Sequence, residues 1–320
     1  MTRSAPRPAE LFEAARSGDR AAKARLLSLV ERGGDGARDV ARLVAPVAGA
    51  AYTVGLTGAP GAGKSTLTSA LIRLLRAAGE EVAVLAVDPS SPFTGGAILG
   101  DRVRMQDHAT DPGVYIRSMA TRGHLGGLAL ATPEAIRLLD ALGHRWILLE
   151  TVGVGQVEVE VAGRADTTVV VVNPGWGDSV QANKAGLMEV ADVFVVNKAD
   201  RPGVDQTRQD LEQMLSLSAA PDDGWPVPIL ATVASTGEGV PELWAAVTAH
   251  REHAAATGVL ERRRRHRLAD ELRTVVARRL EQRARDACSG ERWDAITDAV
   301  LAGTVDPWSA ADEMLAPIDA

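Results

Sequence analysis

The chain has 320 residues, 46% of them apolar, enough for a sizeable core and about two domains. Its net charge of −7 and pI near 5.5 argue against a nucleic-acid binder as a whole. A single cysteine, Cys288, excludes disulfides within the chain; residues 1–30 lack the apolar core of a signal peptide, and no stretch approaches ~18 apolar residues, so the expected compartment is the cytoplasm.

Residues 1–50 read as an N-terminal helical extension, in which Leu26, Leu27, Leu29 and Val30 follow Ala-rich turns and Gly33-Gly34 ends the helix. Residues 51–250 alternate strands with helices, the strands at 52–57, 81–87, 114–117, 146–150, 168–173, 193–197 and 228–232. Thr132-Pro133 reads as a helix start, with the hydroxyl at N-cap and Pro at N1. Such alternation predicts an α/β fold with a mostly parallel central sheet flanked by helices, plus helical extensions at both ends. Residues 251–320 read as helical and strongly charged, with Leu268, Leu272, Val275, Val276 and Leu280 on one stripe that needs a partner, most simply a second copy of the chain. Arg262 to Arg267 invites a nucleic-acid reading. The run is short and holds no aromatic residue for stacking, so it reads as a solvated helix start compensated by Asp270, Glu271 and Glu281.

Within the alternating region, Gly58-Ala59-Pro60-Gly61-Ala62-Gly63-Lys64-Ser65, followed by Thr66, matches G-x-x-x-x-G-K-[ST] between a strand and a helix. The glycines allow a tight loop whose N–H groups converge on phosphate oxygens, and the helix N-terminus favours an anion there. Lys64 would reach the β and γ phosphates, and the Ser65 hydroxyl would ligate Mg²⁺. Asn197-Lys198-Ala199-Asp200 follows the strand Val193–Val196. A carboxylate at Asp200 accepts from guanine N1–H and the exocyclic amine, which adenine does not offer, while the stem of Lys198 lies along the base. The N–H of Ala234, after the strand at 228–232, would meet guanine O6. The two motifs together indicate a GTP and GDP site.

Three acids compete for Mg²⁺. Glu150 ends an apolar strand, Asp88 ends another, and Asp101 lies between them in Gly100-Asp101-Arg102. Gly153 would give its N–H to the γ phosphate. A water-orienting Gln is missing from the next position, where Val154 stands; the nearest is Gln156. Slow hydrolysis by the chain alone, with partner stimulation, follows from that gap. Lys64, Glu150, Gly153 and Gln156 form the candidate catalytic set.

The runs Gly58–Thr66, Val87–Ser91, Gly100–Met105, Arg117–Gly127, Glu150–Gln156 and Asn197–Asp200 resemble the P-loop GTPases of the MeaB/ArgK type. These are chaperones of cobalamin-dependent methylmalonyl-CoA mutase, with a human counterpart in the methylmalonic aciduria type A protein. The resemblance covers nearly the whole chain. It implies a homodimer joined through the C-terminal helices and Mg²⁺ near Ser65, Asp88, Asp101 and Glu150. It also implies a third switch at Pro174–Lys184, with Asp178, Gln181 and Lys184 relaying the nucleotide state to an acyl-CoA mutase during adenosylcobalamin loading and reactivation. Val157 and Val233 stand where that family more often has hydroxyl residues, and Trp176 is larger than expected, either for packing or for a partner. A metal-insertion GTPase for a nickel or zinc enzyme would need clustered soft or imidazole ligands. Here Cys288 is isolated, and His108, His124 and His144 read as loop or surface residues. A transport-linked kinase would not need Asp200.

Overall fold

The computed structural model describes residues 6–88, 106–108, 110–120, 127–151, 163–176, 181–217 and 224–319, with backbone alone at 88, 106, 120, 127–130, 181–185 and 317–319. Two compact units emerge, Met1–Arg265 and His266–Ala320. Among the described residues of the larger unit, seven strands form one sheet: β1 Tyr52–Gly58, β2 Val82–Asp88, β3 Val114–Ala120, β4 Trp146–Thr151, β5 Thr167–Val172, β6 Val193–Asn197 and β7 Ile229–Thr232. Their order is β3-β2-β4-β1-β5-β6-β7, and every ladder is parallel.

A parallel strand needs apolar cover on both faces. Successive residues supply it. Val82, Val84, Trp146 and Leu148 enter one core, shared with α4 (Lys64–Ala77) and α8 (Val240–Ala256). Ala83, Leu85, Val87, Ile147 and Leu149 enter the core on the opposite face. On β5 and β6, Val169, Val171, Val193 and Val195 join the first core. Val170, Val172, Phe194 and Val196 belong to a third, with α6 (Gln181–Val190) and α7 (Val204–Leu217). This two-sided burial explains why the strands read as unbroken apolar runs rather than as alternation.

The N-terminal helices α1 (Pro8–Arg16), α2 (Arg20–Arg32) and α3 (Gly34–Val44) share the second core. Phe12, Leu26, Leu27 and Val40 lie there with Leu138 of α5 (Gly127–Ala141) and Leu149 of β4. Asp19 caps α2, accepting from the N–H groups of Ala21 at 2.8 Å and Ala22 at 3.1 Å. Helix α5 begins at Gly127, not at Thr132-Pro133 as the local signal suggests. Proline inside a helix forfeits one hydrogen bond. Burial of Ala131, Ala135, Leu138 and Leu139 along the same helix offsets that loss.

His108 and His144, expected at loops or the surface, are both buried. Lys23 of α2 donates to His144 Nε2 at 2.8 Å. Burial first, and then the Lys23 charge, push the His144 imidazole down to about 3. In the unfolded chain the ring titrates near its ordinary 6.5. Between these values the unfolded state binds the extra proton, so stability is intact above pH 6.5 and falls as the pH drops toward 3. This group alone is expected to cost about 2 kcal/mol between pH 7 and pH 5. Urea unfolding at both pH values checks it, since His144→Gln removes that part of the slope.

The arginine run is not simply solvated. Helix α9 (Val259–Ala287) contains it, and two of its arginines reach the starts of the central strands. Arg264 Nη2 lies 2.6 Å from Asp166 Oδ2 and donates to the Ala51 carbonyl at 2.8 Å. Arg263 Nη1 lies 2.9 Å from Asp192 Oδ1. Both acids are buried, and each also accepts a backbone N–H, from Thr53 at 3.1 Å and Thr168 at 2.8 Å. Further along α9, Asp270 pairs with Arg273 and Glu281 with Arg285.

The smaller unit carries the end of α9, then α10 (Glu291–Leu301) and α11 (Pro307–Asp319), around a small core of Ile296, Ala310 and Met314. Leu268, Leu272, Val276 and Leu280, one helical stripe on α9, are 49–64% exposed. Among the described residues, no helix is long and apolar enough to cross a membrane.

Candidate nucleotide site

The site lies at the C-terminal ends of the strands, beside β1, where the chain crosses from one half of the sheet to the other. β1 ends at Gly58, whose φ is 126° and which sits opposite Val171. A Cβ there would run into the Val171 carbonyl oxygen, so this position accepts only glycine. The loop turns through Gly61 and Gly63, and the left-handed Gly63 (φ 96°) caps α4 without a side-chain hydrogen bond; a helix N-terminus at such a loop favours an anion. Lys64 Nζ donates to the carbonyls of Gly58 at 2.5 Å and Ala59 at 3.2 Å. Its ammonium is thereby folded over the cradle.

A Cβ at Gly63 would collide with Asn197 Nδ2, so the cradle and the base-reading motif abut. Asn197 is buried at the end of β6. Its Nδ2 donates to the Ala62 carbonyl at 2.8 Å, and its Oδ1 accepts from Thr232 Oγ1 and from the N–H of Ala234, both at 3.1 Å. Asn197 thus ties the phosphate loop to the β7 end. The Ala234 N–H, expected to meet guanine O6, is directed at this side chain. Lys198 is the one non-glycine residue with positive φ (60°) among those described, and its Nζ donates to the Gly61 carbonyl at 2.6 Å. Asp200 is exposed on the turn that follows, which the Ala199 N–H anchors to the Thr232 carbonyl at 3.0 Å.

On the phosphate side, Ser65 Oγ donates to Glu150 Oε1. Register puts Glu150 beside Leu56 of β1 and Ala86 of β2, near the C-terminal end of β4, and the residue is buried. A hydroxyl and a carboxylate at this point are hard oxygen donors, a set that suits Mg²⁺. Asp88 ends β2 one residue beyond Val87, which pairs with Thr151; only its backbone is described. Gln181 and Lys184 lie in the first turns of α6, again as backbone alone, and Thr66 is exposed on α4. Asp101, Gly153, Gln156, Asp178 and His124 lie outside the described residues. Trp176 is 7% exposed and packs among Val170, Phe194 and Leu211, which favours the packing alternative for this residue. Sequence reasoning missed the contact between Thr151 Oγ1 and Thr57 Oγ1 (3.3 Å), which links the ends of β4 and β1; two hydroxyls closing apolar strands were the available signal. Among the described residues no group of three or more His, Cys, Asp and Glu side chains is placed to hold a metal.

With that geometry in view, residues 23–289 match the family described as methylmalonyl Co-A mutase-associated GTPase MeaB. The chain belongs to the MeaB family. Its relatives include a GTPase of Pyrococcus abyssi, 50% identical over 311 residues that cover 97% of this chain and 96% of the relative. Escherichia coli GTPase ArgK is 39% identical over 272 residues, covering 83% and 82%. The mouse methylmalonic aciduria type A homolog, a mitochondrial protein, is 35% identical over 268 residues, covering 82% of this chain and 65% of its own. Among solved structures, a LAO/AO transport system kinase superposes with a TM-score of 0.71 at 27% identity, over 98% of each chain. This MeaB-family chain therefore has a P-loop GTPase fold in which Asn197 meets the loop at residues 58–65.

Proposed function

We propose that this MeaB-family GTPase hydrolyses GTP to GDP and phosphate with Mg²⁺, and serves as the chaperone of a cobalamin-dependent acyl-CoA mutase such as methylmalonyl-CoA mutase. The observation that carries the nucleotide half is the Asn197 clip, which holds the base reader against the phosphate loop. Asp200 faces solvent, available to guanine. Lys64 exchanges the Gly58 and Ala59 carbonyls for phosphate oxygens, and the first N–H groups of α4 hold the same anion. Ser65 and Glu150 would hold Mg²⁺, with Asp88 and Asp101 as further candidates. The ion, when bound, neutralises charge on the β and γ oxygens. Glu150, Gly153 and Gln156 remain the groups proposed around the reacting phosphate. Val154 at the position of a water-orienting Gln supports slow turnover by the chain alone.

The partner half rests on family membership and on the mouse relative's name. The relay is proposed to run through Asp178, Gln181 and Lys184. The exposed stripe of α9 supports a homodimer made through residues 251–320. The test is GTP turnover by the purified protein, alone and with cobalamin-dependent acyl-CoA mutases, with ATP as control. The expected result is slow GTP turnover that rises at least about 10-fold with one mutase, toward the roughly 10³–10⁵-fold that partner-supplied groups can provide. Equal turnover of ATP would sink the guanine assignment, and indifference to every mutase would sink the client assignment.

A further inference from the structure

Below Ser65, the phosphate-loop helix continues in a polar ladder that the nucleotide chemistry described so far does not use. Ser65, Ser69 and Arg73 of α4 are spaced four residues apart and share one face of the helix. Glu150 meets Ser65 at the top. One turn below, Ser69 Oγ hydrogen bonds with His108 Nε2 at 2.7 Å, and Arg73 Nη1 donates to Ser69 Oγ at 3.2 Å. Ser69 and His108 are both 7% exposed. His108 comes from the short 3-10 turn Gln106–His108 that precedes β3, so the contact joins two parts of the chain 39 residues apart.

An apolar residue would fill this space without needing a partner. A buried imidazole that must keep a hydrogen bond is instead specific about where its partner stands. Arg73 donates to the Ser69 oxygen, and the bond between Ser69 Oγ and His108 Nε2 runs in the direction that the ring tautomer sets. Burial, followed by the Arg73 charge, lowers the His108 pKa, in agreement with a neutral ring. The hydroxyl of Ser69 is thereby fixed at both ends, and with it the helix turn that presents Ser65.

We infer that His108 is a positioning residue for the Mg²⁺–nucleotide site, holding the first turns of the phosphate-loop helix through Ser69 so that Ser65 stays aligned with Glu150. The inference rests on the reading of Ser65 as an Mg²⁺ ligand. The experiment measures Mg²⁺ dependence of GTP turnover, GDP affinity in EDTA and Tm for the full chain and for Ser69→Ala, His108→Ala, His108→Gln and the double alanine variant. Both single alanine variants are expected to need about 10-fold more Mg²⁺ for half-maximal turnover, the scale of losing a group that orients a metal ligand. GDP affinity in EDTA stays within about twofold, the double variant is no worse than either single one, and His108→Gln, whose amide reaches as far as the Nε2 it replaces and still bonds Ser69, recovers most of the loss. A lowered Tm with an unchanged Mg²⁺ titration would make His108 a packing residue and overturn the inference. Should His108→Ala fail to fold, Ser69→Ala, which deletes one hydroxyl, reads the same quantity. Turnover of the unaltered protein that is independent of Mg²⁺ would remove the metal reading itself, and the inference with it.

Discussion

Asp200→Asn is expected to move nucleotide preference from GTP to XTP, with GTP binding weakened about 100-fold. On the proposed reading the carboxylate would accept two guanine donors, and exchanging it for an amide would leave one donor facing another; losses of about 1–3 kcal/mol per charged hydrogen bond set the scale. Xanthine carries a carbonyl where guanine carries the amine, so the new amide regains a partner. The fold should not change. Asp200 is exposed, and the turn beneath it is held by the Ala199 N–H, the Asn197 amide and the Lys198 ammonium rather than by Asp200 itself. Competition of GTP and XTP for the purified variant provides the measurement. Unchanged selectivity would remove Asp200 from base recognition.

Arg264→Ala is expected to destabilise the larger unit by about 3 kcal/mol, the lower end of what breaking a buried ion pair costs. Asp166 is 2% exposed and would keep its backbone donor but lose a two-point guanidinium contact. The Ala51 carbonyl would lose its donor as well. Arg265, next in the run, is the natural control. Its side chain is 82% exposed and only 3.6 Å from an equally exposed Glu261, so Arg265→Ala should stay within about 0.5 kcal/mol. Thermal unfolding of the two variants side by side separates a tertiary role for the run from a merely solvating one. Equal Tm values would show that the Arg264 pair contributes nothing net.

What was legible in the sequence was what is contiguous in it. The phosphate loop and the Asn197–Asp200 motif each carry their geometry within a few residues. The strands announced themselves through runs such as Val193–Val196, because both faces of a parallel strand are covered. The remainder depends on residues far apart in the chain. Nothing near Asn197 says that its amide reaches Ala62, 135 residues earlier. Nothing near Arg263 and Arg264 says that buried acids await them at Asp192 and Asp166. His108 and His144 sit among polar neighbours that suggest the surface, yet Ser69 and Lys23 follow them inside. The start of α5 was misplaced because the Thr-Pro pair is a strong local cap signal, overridden by burial along the whole helix.

The shared core of the N-terminal helices has a consequence for how the protein is made. Phe12 and Leu26 leave the ribosome well before Leu138 and Leu149, which belong to the same buried core. At about 5–20 residues per second the delay is on the order of ten seconds. Through that interval the three amphipathic helices have only one another to cover their apolar faces. The nascent chain is therefore most prone to stick, and most dependent on holding factors, before the fourth strand exists. Completion of β4 is the step that shelters its N-terminus.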